Sequence, residues 1–271
     1  MVKNASRILI LNILFFSLAA CSISPTYNRK NIEVVIEKIC KDEFDIYVKA
    51  VANGETIWIY APLDDLINEK KEFNHEAEKK LRYILLSLKR TILSMHNPPK
   101  FYTFVTSNIK DTGVDLYYMG FIPDMIKADL QFISQEELEE RVAYVSFENP
   151  EALGDRAGKH IAMRDITMGD FITYLAMQRL KKVFSDEKIN SNVLINNIDG
   201  HYQNGKIRIA FDIAIEKYVP FLPDPFKEAK KSTTKFLKIY SEFLSDITTI
   251  EIEDNFNAIK RIYTPKALIE S

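Results

Sequence analysis

The chain has 271 residues, 46% of them apolar, 11% aromatic and 27% charged, the balance of a globular protein with a hydrophobic core. Its 36 basic and 38 acidic residues leave a formal charge of −2, without the basic footprint that nucleic-acid binding needs. Two cysteines exclude a disulfide framework, and eight glycines make a nucleotide-cradling loop hard to build.

Taken in chain order, the first element is a leader. Lys3 and Arg7 give a positive start, residues 8–20 form an apolar run broken only by Asn12 and Ser17, and Leu18-Ala19-Ala20-Cys21 closes it. A positive flank, a short apolar core and small residues before a cut describe a secretory signal, and the run is shorter than the roughly 20 residues of a spanning helix. The ending resembles the lipobox of bacterial lipoproteins. That resemblance covers the leader alone. It implies cleavage after residue 20, diacylglycerol on the Cys21 thiol and acylation of the new amino group, hence a body tethered to a membrane of the cell envelope and facing the periplasm in a diderm cell. In such lipoproteins an aspartate after the cysteine commonly retains the protein in the inner membrane, so Ser22 favours the outer one. Removing Lys3 and Arg7 with the leader takes the charge of the mature body to about −4. Residues 21–30 read as a polar tether, whose extended reach holds the body within roughly 30 Å of the bilayer.

The mature chain then reads as repeated helix–strand–strand units. A helix over residues 31–41 carries Ile32, Val35, Ile36, Ile39 and Cys40 on one face, which makes Cys40 a core residue. Residues 44–51 and 56–61 alternate around Asn53-Gly54, a hairpin signal, with Ile57 and Ile59 on one face and Trp58 and Tyr60 on the other. The clearest helix follows, with Ala77, Leu81, Ile84, Leu85, Leu88, Ile92 and Met95 on its apolar stripe, Asn74 as its cap and Pro98-Pro99 as its stop. Strands at 101–106 and 114–120 complete the second unit.

A long connection spans 121–166. It has short helices starting at Pro123 and at Ser134, and an extra strand at 142–147. The third unit opens on Thr167 and Asp170, continues through a helix that buries Met168, Phe171, Ile172, Leu175, Ala176, Leu180 and Val183, and adds strands at 191–198 and 207–215. The fourth begins at Asp224-Pro225, buries Phe236, Leu237, Tyr240, Phe243 and Leu244, and ends in strands at 248–253 and 256–263. The expected fold is α+β: two lobes, residues 31–148 and 149–271, each a mainly antiparallel sheet with helices packed on one face.

The chemistry is sparse. The segment Gly154-Asp155-Arg156-Ala157-Gly158-Lys159-His160 superficially resembles a phosphate loop. Its spacing is one residue short, and His160 replaces the hydroxyl that would hold magnesium. With Arg164 and Asp165 it is nonetheless the densest cluster of groups suited to anion binding or proton transfer, which makes Asp155, Arg156, Lys159, His160 and Arg164 the candidate ligand loop. None of His75, His96, His160 and His201 forms a metal-ligand pair, so no metal or cofactor is expected, and neither a nucleophile elbow nor a dinucleotide fingerprint occurs. The aromatics Trp58, Tyr60, Phe101, Tyr102, Phe104, Tyr117, Tyr118 and Phe121 crowd the first lobe's strands; most fit a core, and a sheet aromatic on both faces also suits an apolar cup or a docking surface. Three functions follow from these features. The first is a non-enzymatic, membrane-anchored module that binds an envelope protein partner. The second is a lipid or small-molecule carrier with an apolar cup, and the third a hydrolase built on the 155–165 loop.

Overall fold

The computed structural model describes residues 27–67, 74–185, 193–215 and 222–270. The leader, the lipobox with Cys21, and the start of the tether lie outside them.

Tyr27 is already part of the body. It bridges to Met95, and its N–H donates to the Ser94 carbonyl at 3.3 Å. A 3-10 turn, Arg29–Asn31, follows, and the Arg29 guanidinium donates to the Gly54 carbonyl at 2.8 Å. The last residues expected to be tether are therefore docked, and the described body starts at Tyr27.

Helix α1 (Ile32–Phe44) buries Ile32, Ile36, Ile39 and Cys40, as its spacing predicts. Burial raises the Cys40 thiol above its ordinary range. The helix runs on to Phe44 and stops at Asp45, which takes a left-handed conformation, so the first strand starts later than alternation implies. It is β1 (Lys49–Asn53), paired with β2 (Thr56–Leu63) around Gly54 at φ +55°. Helix α2 (His75–Leu93) crosses from β2 to β3 (Phe101–Asn108), which lies parallel to β2. Antiparallel β4 (Val114–Phe121) and β5 (Ala143–Glu148) complete a sheet ordered β1-β2-β3-β4-β5. Between β4 and β5 run two short helices, α3 (Ile122–Asp129) and α4 (Gln135–Glu140).

The second half repeats the order. Helix α5 (Met168–Phe184) begins with the capping box that Thr167 and Asp170 predict. Strands β6 (Val193–Gln203) and β7 (Lys206–Ile215) form a hairpin around Asn204-Gly205, both at positive φ. β6 extends to Gln203, beyond the expected end at residue 198, so His201 lies on the strand, opposite Arg208. Helix α6 (Pro225–Ile239) then crosses to β8 (Thr249–Asp254), parallel to β7, and β9 (Ile259–Tyr263) pairs antiparallel with β8. A last turn of helix, α7 (Pro265–Ile269), closes the chain. Both halves are thus helix–hairpin–helix–hairpin with a parallel central pair, an α+β architecture in two lobes.

Four layers result. Helices α1 and α2 cover one face of the first sheet through Ile57, Ile59, Phe104, Ile84 and Leu88. Its other face, with Trp58, Tyr60, Phe101, Val105 and Phe121, shares a continuous core with Phe171, Ile172 and Leu175 of α5 and with Ile207, Ile209 and Phe211 of the second sheet. The outer face of the second sheet is polar. There Glu251, almost fully buried, is ringed by Lys206, Arg208 and Lys260 at 2.5, 3.3 and 2.9 Å. Burial alone would raise the Glu251 carboxyl, and the two lysines hold it below its usual range. Among the described residues no helix is long and apolar enough to cross a membrane.

Candidate functional site

The cluster singled out by sequence lies in residues 149–167, which run across the Trp58–Tyr60 face of the first sheet like a strap. The indole N–H of Trp58 donates to the Arg164 carbonyl at 2.7 Å, and the Tyr60 hydroxyl to the Asp155 carbonyl at 2.5 Å. Asp165 accepts from the Glu55 N–H and the Thr56 hydroxyl, both at 2.9 Å, and sits against Gly54, where a side chain would overlap its carboxylate.

Of the five candidate ligand residues, the fold brings only Asp155 and His160 together. The His160 ring points inward with its side chain 3% exposed; Nδ1 lies 2.7 Å from Asp155 Oδ2, and Nε2 lies 3.2 Å from Asp115 Oδ1. Asp115, wholly buried, also accepts from the Ser107 hydroxyl and, at 2.8 Å, from the Asn149 amide. Arg156 instead pairs with Asp64 on the surface at 2.9 Å. Arg164 pairs with Asp170 at 2.7 Å, fastening the strap to the start of α5, and Lys159 is exposed to solvent. The hydroxyl, carboxylates and imidazole do form a chain, but Ser107 is bonded to Asp115 rather than to His160, and both are shut off from solvent. In this geometry the network clamps the strap to β3 and β4.

Burial pushes the Asp155 carboxyl up, but the His160 ring and the N–H groups of His160, Ala157 and Lys159 outweigh it and hold it down at about 2. A carboxylate depressed in this way stabilises the fold above the pKa of the unfolded chain and loses that contribution as the pH falls through the folded value. We therefore expect resistance to denaturant to fall as the pH is lowered from about 4 toward 2. Asp155→Asn should be less stable than the native chain at pH 7 and should flatten that acid limb; unfolding curves that keep the same acid limb in the variant would contradict this.

A second feature escaped the sequence reading. On the α1–α2 face of the first sheet lies a groove of about 580 Å³, walled by Leu85, Leu86 and Lys89 of α2, by Met125 and Leu138 of α3 and α4, and by Gln178 of α5, with Tyr102, Tyr118 and Tyr144 as its floor. Its origin is a mismatch of widths. Packed helices lie 8–10 Å apart and paired strands about 4.8 Å, so two helices cover about four strands. The second sheet has four strands; the first has five, and β5 is the extra one. The expected stripe of α2 put Leu85 in the core, but it stands 37% exposed beside Leu86 at 43%. The run Ile84-Leu85-Leu86 carried a signal, since three adjacent positions cannot all face inward on one helix. Of the crowded aromatics, Tyr102 and Tyr118 reach the groove, whereas Trp58, Tyr60, Phe101, Phe104 and Phe121 are core.

The groove is close to neutral. Burial, then the charge of Asp124, push the Tyr102 hydroxyl up to about 12, and burial also raises that of Tyr118. Lys89 is paired with Asp129 at the rim. What remains is an aliphatic wall and an aromatic floor with phenol and amide groups and the Glu139 carboxylate at the edges, a surface suited to apolar side chains or acyl chains. Among the described residues no group of three or more His, Cys, Asp or Glu is placed to hold a metal ion. No protein-family model, characterised protein or solved structure matches the chain.

Proposed function

We propose that the chain is a lipid-anchored, non-enzymatic binding module of the cell envelope, tethered through Cys21, that holds a partner protein in the groove between α2, α3–α4 and the β4–β5 edge. The observation that carries this reading is the groove itself, an open apolar trough of about 580 Å³ left by the uncovered fifth strand. Exposed apolar surface of this kind, rimmed by polar groups, favours a docking role. The proposed anchor also limits where docking occurs. Tyr27 is seated at the C-terminal end of α2, and six extended residues from Cys21 reach about 20 Å. Leu86 lies roughly 12 Å further along the helix, at about 1.5 Å per residue, so the groove would work close to the membrane surface.

A photo-crosslinking residue at Leu86, in cells making the full chain, should give a protein adduct of discrete mass; the same residue at Ile262, on the outer face of the second sheet, should give none. Adducts of equal yield at both positions, or at neither, would overturn the groove as the binding surface. The volume also lies within the range of small-ligand sites, which favours the carrier as a second reading. In that case the Leu86 adduct is a lipid rather than a polypeptide.

A further inference from the structure

The free edge of the first sheet runs directly beside the groove, and one side chain already occupies part of it in the manner of a neighbouring strand. β5 is the last strand of its sheet, paired on one side only, with β4. The Gln178 side-chain amide, reaching over from α5, accepts from the Tyr144 N–H at 2.5 Å and donates to the Val142 carbonyl at 3.2 Å. These backbone groups flank Ala143 and point away from β4. One residue of a parallel strand laid beside β5 would bond such a pair in the same way. Every second residue of a strand points both its N–H and its C=O outward, so the Tyr144 C=O and then the N–H and C=O of Ser146 are next in the row, and among the described residues no ladder bond uses them.

Each face of this edge carries an apolar hollow. Tyr118 and Tyr144 open into the groove on one side. On the other, Val145 with Tyr174, Met177 and Lys181 of α5 lines a shallower hollow of about 230 Å³. An extended segment sends alternate side chains to opposite faces, so a strand added at β5 would place one set in each. Hollows of this size receive side chains.

We propose that the outer edge of β5, from Gln178 to Glu148, is a strand-addition site for an extended peptide segment with alternating apolar side chains. The proposal rests on the groove being the binding surface and names the chemistry of what enters it: backbone hydrogen bonds to Ser146 supply register, and the two hollows supply side-chain selection. Gln178 holds the first position of the row in the free protein.

The test uses the full chain and a set of heptapeptides blocked at both ends, with Val, Ile, Leu or Phe at alternate positions and Thr or Ser between them. The tightest member is then remade with N-methyl groups on alternate residues, which removes the backbone donors facing β5 and keeps every side chain. Strand addition predicts that N-methylation weakens binding at least about ten-fold, and that the parent peptide slows hydrogen exchange at the Ser146 amide. Ser146→Pro removes an outward N–H that no ladder bond uses, so the variant folds and binds the peptide at least about ten-fold more weakly. Equal affinity of the parent and N-methylated peptides overturns strand addition, as does the absence of binding up to about 1 mM. A Leu86 adduct that still forms in cells shows in either event that the groove reading survives, and its loss shows that both fall. A peptide-independent dimer abolished by Ser146→Pro would mean that a second copy is the occupant, and would overturn the proposal too.

Discussion

Replacing Asp115 with alanine is expected to destabilise the fold by about 3 kcal/mol or more, because three buried hydrogen-bonding groups lose their acceptor, each loss costing about 1–3 kcal/mol. Asp115 is wholly buried and accepts from three side chains on three segments: Ser107 on β3, Asn149 at the start of the strap, and His160 within it. Without it the Ser107 hydroxyl, the Asn149 amide and the His160 ring lose their acceptor together, and among the described residues Asp155 is left as the only carboxylate facing the imidazole. Ser107→Ala removes one donor and leaves the acceptor satisfied by two others, so it should cost about 1 kcal/mol. Denaturant titration checks both, with the midpoint falling and the slope unchanged. A loss below about 1 kcal/mol for Asp115→Ala would mean that the network does not clamp the strap.

The second large effect lies where the lobes meet. Asp124, in the first turn of α3, is almost fully buried and takes the Arg141 guanidinium at 3.1 Å and the Tyr240 hydroxyl at 2.6 Å. Tyr240 follows α6, so this carboxylate joins the extra segment of the first lobe to the second. Burial, followed by the charge of Asp124, raises the Tyr240 hydroxyl far above its ordinary range, so it donates rather than ionises. Asp124→Ala should cost about 3–5 kcal/mol, because Arg141 is left mostly buried with only Glu137 beside it. Tyr240→Phe should cost about 1.5–3 kcal/mol in the native chain, the range for a hydrogen bond to a charged group, and little in the Asp124→Ala background. Additive losses in the double variant would show that the two side chains are not coupled.

What the sequence made legible was local. Most of each helix face, the Thr167–Asp170 capping box, the Asp224-Pro225 helix start and the hairpin at Asn53-Gly54 depend on neighbours a few residues apart and appear as expected, whereas Leu85 and Phe243, expected in the core, are exposed. Alternation also found the wet and buried faces of β7, whose Ile207, Ile209, Phe211 and Ile213 are core. The parallel pairing of β2 with β3 and of β7 with β8 was not legible, because strand direction across a helical crossover leaves no mark on either strand's own pattern. Nor was the pairing of His160 with Asp115, which is 45 positions away and looks like any exposed carboxylate near the start of a strand. The groove was the hardest feature. It follows from counting strands against helices, and the strand that tips the balance, β5, reads as a minor insertion in a long connection.

Exchange of backbone amides with deuterium tests the central claim without knowledge of the ligand, by comparing the full chain in native membranes with the purified chain. Slower exchange is expected in membranes at Leu85, Leu86, Tyr144 and Ser146, with no change at Arg208 and Glu253 on the outer face of the second sheet. Equal exchange around the groove in the two states, or protection confined to the outer face of the second sheet, would contradict it.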